Sequence, residues 1–179
     1  MTRRITQMLA RFRKDEKGLA AIEFALFFPL FMGMFFWAVE LGIMQIKSVM
    51  LDHALDVSIR EIRLGMVEDP SPEKLKTAIC SRARIIGDCA DQLMIDLRPV
   101  STTTWAMPNT PVACVNNDDE DMQPTVTFDP GRQNEIMLVR ACVNIPVTFP
   151  NLMFGRQLHK DSSGRISIAS ITAFVNEPS

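Results

Sequence analysis

The sequence predicts an α+β fold: a long N-terminal helix that spans a membrane in its first half, a second helix, and a small antiparallel C-terminal sheet. Three observations carry that expectation. An apolar stretch near the N-terminus is long enough to cross a bilayer, helical periodicity continues beyond it, and beyond Cys89 the period changes to strand-like runs broken by proline and glycine.

From Leu19 to Ile46 the chain holds no basic residue and only two acids, Glu23 and Glu40. Leu19–Val39 alone would extend roughly 31 Å as a helix, the thickness of a hydrocarbon core. Pro29 and Gly33 are tolerated in a membrane helix, and Trp37 lies where an interfacial ring is expected. Glu40 falls at headgroup level and is expected to need no special partner. The stretch exceeds the apolar core of a cleavable secretory signal, and no small-x-small site follows it promptly.

The net charge of −2 hides an asymmetry. Residues 1–17 carry six basic and two acidic residues, a balance of +4, which leaves −6 for the remainder. Basic residues beside an apolar span mark its cytoplasmic side. The tip is short and lacks interleaved aromatics, so no nucleic-acid partner is expected. The expected division is a basic cytoplasmic leader at 1–18, a transmembrane helix at 19–46 within the lipid bilayer, and an extracytoplasmic α+β domain at 47–179.

Beyond the span, apolar residues recur at Ile43, Ile46, Met50, Ala54 and Val57, widened by Leu51, Leu55, Ile59 and Ile62. The wet face is Lys47, Asp52, Asp56, Arg60 and Arg63, and Gly65 is a plausible cap. One helix from Leu19 to about Leu64 is predicted. Ser71 and Pro72 then have the types that open a helix, here expected to run from about Pro72 to Ile86. Strands are expected in "DQLMIDLRPV", in "NEIMLVRACVNIPVTF" with Pro146 at an edge or interruption, and in "GRISIASITAF". The last alternates at Ile166, Ile168 and Ser170 and is then expected to break register.

Cys80, Cys89, Cys114 and Cys142 all lie beyond the apolar span, as disulfides in an oxidising compartment would. Their spacing favours Cys80 with Cys89, leaving Cys114 with Cys142, among three possible pairings. With no CxxC and with His53 and His159 remote, metal coordination is not expected, and neither is a cofactor. The acidic run Asp118–Asp121 lacks EF-hand spacing and reads as a solvated loop. No GxSxG, Walker loop or HExxH is present, and His53 reads as a polar-face residue, so no enzyme is expected and no catalytic residue is assigned.

Glu23 remains, an acid within the apolar stretch, where an unpaired charge costs on the order of several kcal/mol or more. The surrounding "RFRKDEKGLAAIEFALFFPLFMGMFFWAVELG" resembles the processing signal and first helix of type IV prepilins, and most closely the TadE/TadF-like pseudopilins of tight-adherence (Flp) pilus systems. The matching positions are Lys17, Gly18, Leu19–Ile22, Glu23 and Phe24, with Pro29 and the "AVELG" of 38–42. The terminal "AFVNEP" is similar to the end of the family's last strand. The resemblance implies a pilin-like exterior domain on the periplasmic side of the bacterial inner membrane and cleavage by a prepilin peptidase between Gly18 and Leu19. It implies that Glu23 acts in subunit registration, facing the new Leu19 amine. The implied partners are that peptidase, pilin-like subunits and the pilus assembly machinery. A membrane-tethered extracytoplasmic binding module unrelated to pili is the alternative, and an uncut Gly18–Leu19 bond would favour it.

Overall fold

The computed structural model describes residues 18–67, 70–107, 110–119, 121 and 123–177. The basic leader, residues 1–17, lies outside the described residues, as do Glu120 of the acidic run and Pro178 of the terminal motif.

Helix α1 runs from Leu19 to Arg63 without a break, through Pro29. The chain divides into two compact units, one ending at Val39 and the other beginning at Glu40, and α1 passes through both. In the first unit the large side chains are bare, Ile22, Phe24, Leu26, Phe27, Leu30 and Phe31 among them. Such a surface is unfavourable in water, and this helix is long and apolar enough to cross a membrane.

In the second unit α1 becomes amphipathic. Its buried stripe is Leu51, Ala54, Leu55, Ser58 and Ile59, one face at a period of 3.6. The stripe is rotated from the expected one: Ile46 is 53% exposed, because the packed face is set by the sheet and second helix laid against it. At the end, Gly65 takes φ 66°, its N–H donates to Ile62 O at 3.0 Å, and Met66 N–H reaches Glu61 O at 3.0 Å. These two bonds form a Schellman cap, which needs a left-handed residue where Gly65 stands.

Helix α2, Pro72–Arg82, is capped by Ser71, whose side chain accepts the Lys74 N–H. It stops four residues before the expected Ile86. Cys80 and Cys89 are joined with Cα atoms 5.6 Å apart. A continuous helix would separate them by about 13 Å, so the chain must turn back after Arg82. It does so through Ala83–Asp88, with Asp88 at φ 54°, into the short helix α3, Cys89–Gln92.

Strands β1 (Leu93–Val100), β2 (Ile136–Pro146) and β3 (Arg165–Val175) form an antiparallel sheet in that order. The short helix α4, Met153–Gln157, lies in the β2–β3 connection. The β2–β3 register runs unbroken from Pro146↔Arg165 to Ile136↔Val175. The expected break after Ser170 therefore does not occur: Thr172 and Phe174 continue the face of Ile166 and Ile168, and Ile171 belongs to the other face. Pro99 sits on edge strand β1 and Pro146 ends β2, two places where a missing N–H is tolerated.

One face of the sheet, with Leu93, Ile95, Leu97, Met137, Val139, Ala141, Val143 and Ile145, packs into the core with Leu51, Leu55 and Ile59 of α1 and Leu75 and Ile79 of α2. The opposite face of β2 is buried as well, by the segment following β1. Cys114 is bonded to Cys142, Arg140 donates to Thr110 O, and Asn144 donates to Val115 O. This second cover buries β2 on both faces, with Arg140 and Asn144 as the polar members of the covered side.

Candidate processing and assembly site

Gly18 lies immediately before α1 and is exposed. A Cβ placed on it would meet nothing within 4 Å, and its backbone is not left-handed. The fold therefore makes no demand for glycine at this position. Leu19 begins the helix, and Glu23 lies one turn further on, on the exposed apolar segment. Among the described residues Glu23 makes no hydrogen bond or ion pair. Phe24 and Phe28, next to it at helical spacing, stack with ring centroids 5.0 Å apart. A chain cut between Gly18 and Leu19 would carry an α-ammonium about 6 Å along the axis from the level of Glu23, the distance at which i and i+4 side chains meet.

The second acid of α1 behaves differently, and the expectation that Glu40 needs no partner is wrong. Glu40 is 2% exposed, and its two carboxylate oxygens accept the backbone N–H groups of Thr148 and Phe149, each at 2.9 Å. Removing a carboxylate from water is costly unless its lone pairs are engaged, and two aligned amides engage both oxygens. The arrangement fixes the turn after β2 to α1. Gly155 holds that turn from its other side: a Cβ there would lie 2.2 Å from Phe149 O, so only glycine permits the approach. The sequence signal available was the acid itself, but its partners lie more than a hundred residues away.

A second buried polar cluster ties the cover segment to the sheet. Asp96 on β1 is 2% exposed and accepts Arg140 Nε at 2.8 Å and Nη2 at 2.5 Å. Arg98 Nη2 also reaches it, at 2.5 Å, and so does the Thr127 N–H, at 3.1 Å. Burial, the largest single influence, pushes the Asp96 carboxyl up. Its hydrogen bonds from Arg98, Arg140 and Thr127, with the charge of Arg140, outweigh this and hold it below the usual carboxylate range. Leu97 N–H donates to Thr127 O and Asp129 N–H to Leu97 O, so the same segment bridges the free side of β1 at Leu97.

The remaining candidates are placed as follows. The disulfides are Cys80–Cys89 and Cys114–Cys142. His53 is exposed on α1. In the acidic run, Asp118 accepts the Ser162 N–H and Asp119 that of Asp121, so both carboxylates shape the loop. Among the described residues no group of three or more His, Cys, Asp or Glu could hold a metal ion.

Residues 18–60 match the family described as TadE-like protein. The matched region starts at Gly18, includes Glu23 and Glu40, and ends within α1, covering about a quarter of the chain. No curated protein and no solved structure matches the chain.

Proposed function

We propose that this protein is a single-pass, non-enzymatic component of a tight-adherence pilus assembly system, a minor pilin-like or assembly subunit matured by a prepilin peptidase that cuts after Gly18. The observation that carries the reading is the TadE-like match over residues 18–60, which falls on an apolar helix beginning directly after Gly18. Two features support it. A glycine with no role in packing suits a peptidase cleft that accepts no side chain. Glu23, with no ion pair among the described residues, suits a later partner, and the Leu19 ammonium created by cleavage would lie one helical turn away.

In this reading hydrolysis of the Gly18–Leu19 bond frees a cationic amine in low dielectric beside an anion. The pair is strongly orienting there, whether it forms within a chain or between neighbouring helices. N-terminal sequencing of membrane-extracted protein, with and without an active prepilin peptidase, tests the proposal. The expected results are Leu19 as first residue with the enzyme and an intact leader without it. A Gly18→Phe variant should keep its leader in both and retain its fold. Recovery of residues 1–18 from both wild-type samples would defeat the processing reading.

A further inference from the structure

Glu40 ties one connection of the sheet-bearing unit to the height at which the membrane span ends. It follows Val39 directly in the unbroken helix α1, and Leu19–Val39 is by itself long enough to cross a hydrocarbon core. A helical side chain leans toward the N-terminus of its helix, so the Glu40 carboxylate leans back toward the apolar stretch. Its oxygens accept the Thr148 and Phe149 N–H groups, each at 2.9 Å, a contact inside the second unit. The connection between β2 and β3 is therefore held at the level of Glu40. Bare apolar surface on α1 reaches past that level, because Leu41 and Ile46 are exposed as well.

The connection has the composition of a membrane-surface segment. In "VTFPNLMFGRQLHK", residues 147–160, apolar residues precede Arg156, His159 and Lys160, and no acid occurs. Leu152 is 43% exposed, and Arg156 and His159 are exposed. The acids that follow lie past this basic end and are engaged. Asp161 accepts from Asn117, Ser163 and the Arg165 N–H, and Asp118 accepts the Ser162 N–H. The shape of the connection is fixed from within. Gly155 packs against Phe149 O where no Cβ fits, and Lys160 Nζ donates to Pro150 O at 3.2 Å.

We propose that residues 149–156 form a second membrane contact, seated in the headgroup–acyl boundary of the leaflet from which α1 emerges, with Arg156 beside lipid phosphates. Continuity with the span selects a lipid surface as the occupant: Glu40 stands at the edge of the span, and the connection is bonded to Glu40. A segment that joins apolar residues to arginine and lysine gains by lying in that boundary, and anionic headgroups add to the attraction. The connection would then anchor the second unit to the bilayer beside its helix. The inference needs the span alone and does not depend on the pilus reading or on processing at Gly18.

The test uses the full chain in lipid nanodiscs of phosphatidylethanolamine and phosphatidylglycerol. All four native cysteines are in disulfides, so one introduced cysteine can carry a fluorophore. A label on Leu152→Cys should be quenched by a nitroxide lipid whose spin lies just below the headgroups. Aqueous iodide should quench it about fivefold less than a label on Thr103→Cys, an exposed site in the loop after β1. Glu40→Ala should return the Leu152 label to iodide. A label on Phe27→Cys in the span should stay quenched by the nitroxide lipid in that variant, showing that the chain is still inserted. Arg156→Glu should lower nitroxide quenching at Leu152 about twofold. Iodide quenching at Leu152 equal to that at Thr103 would overturn the proposal. So would protection from iodide without quenching by the lipid, the mark of cover by a second copy or another protein, and so would a Leu152 signal unchanged in both variants.

Discussion

Asp96 shows how much a single buried carboxylate is asked to do. It neutralises Arg140, orients Arg98 and holds the Thr127 amide, so removing it leaves a buried guanidinium without its counter-ion. Loss of one member of such a pair costs about 3–5 kcal/mol. Asp96→Ala is expected to lower stability by that order in denaturant titration, far more than Asp52→Ala on the exposed face of α1. The same carboxyl gives an acid dependence. Its native pKa lies below the unfolded value, so its contribution is fully present above the unfolded pKa, about 3.9, and is lost as pH falls through the native one. Asp161, held low by hydrogen bonds from Asn117, Arg165 and Ser163 against the opposing effect of burial, acts in the same direction. The wild type should therefore lose stability below about pH 4 more steeply than D96A. Parallel pH curves for the two proteins would refute the assignment. Towards the other end of the chain, Glu23 has no such partner among the described residues, and Glu23→Ala should leave membrane insertion intact. If the processing reading holds, the variant should lose co-purification with pilin-like helices; unchanged recovery would separate Glu23 from assembly.

Among the elements, α1 was the most legible, because a 3.6-residue period and a capping glycine are local signals. The second helix was legible at its start, where Ser71 and Pro72 act within one turn, but not at its end, where a disulfide to Cys89 overrides a sequence still suited to helix. The apolar run of β2 carried unused information. In "IMLVRACVNI" one parity, Met137 to Ile145, is wholly apolar, and the other keeps Ile136, Leu138 and Cys142 beside Arg140 and Asn144, a hint of a second covered face, whereas the segment from 101 to 134 reads by composition only as loop. Its covering role rests on Arg140–Thr110, Asn144–Val115 and Cys114–Cys142, contacts spanning about thirty residues that no local period reports. At the candidate site, Gly18 and Glu23 were visible as a spacing, while the burial of Glu40 depends on amides of Thr148 and Phe149 and was not. The two bridges also differ in consequence. Cys114–Cys142 closes 28 residues and Cys80–Cys89 closes 9. The loop-entropy difference, growing as the logarithm of loop length, is about 1 kcal/mol. Alanine replacement of the longer pair should lower the denaturation midpoint further than replacement of the shorter pair, and it should speed proteolysis between residues 101 and 128. The reverse order would mean that α2 and not the cover segment depends more on its bridge.

For the molecule as a whole, the distribution of chemistry along the chain argues for one orientation in the membrane. The basic residues cluster before the apolar helix, and both disulfides lie in the unit that begins at Glu40. Basic flanks stay cytoplasmic and disulfides persist in an oxidising compartment, two independent causes that agree. With one helix of sufficient length and apolarity among the described residues, the simplest path is a single crossing. We therefore expect residues 1–17 on the cytoplasmic side and the sheet-bearing unit on the other. Glu73, exposed in the first turn of α2, and Thr2 offer positions for introduced cysteines. In cells lacking the prepilin peptidase, so that Thr2 is retained whatever its fate in the wild type, a membrane-impermeant maleimide should label Glu73→Cys in intact cells. It should label Thr2→Cys only after lysis. Labelling of Thr2→Cys alone in intact cells would invert the topology. It would also place the Gly18–Leu19 bond on the wrong face for a cytoplasmic-side peptidase, so the processing proposal would fall with it.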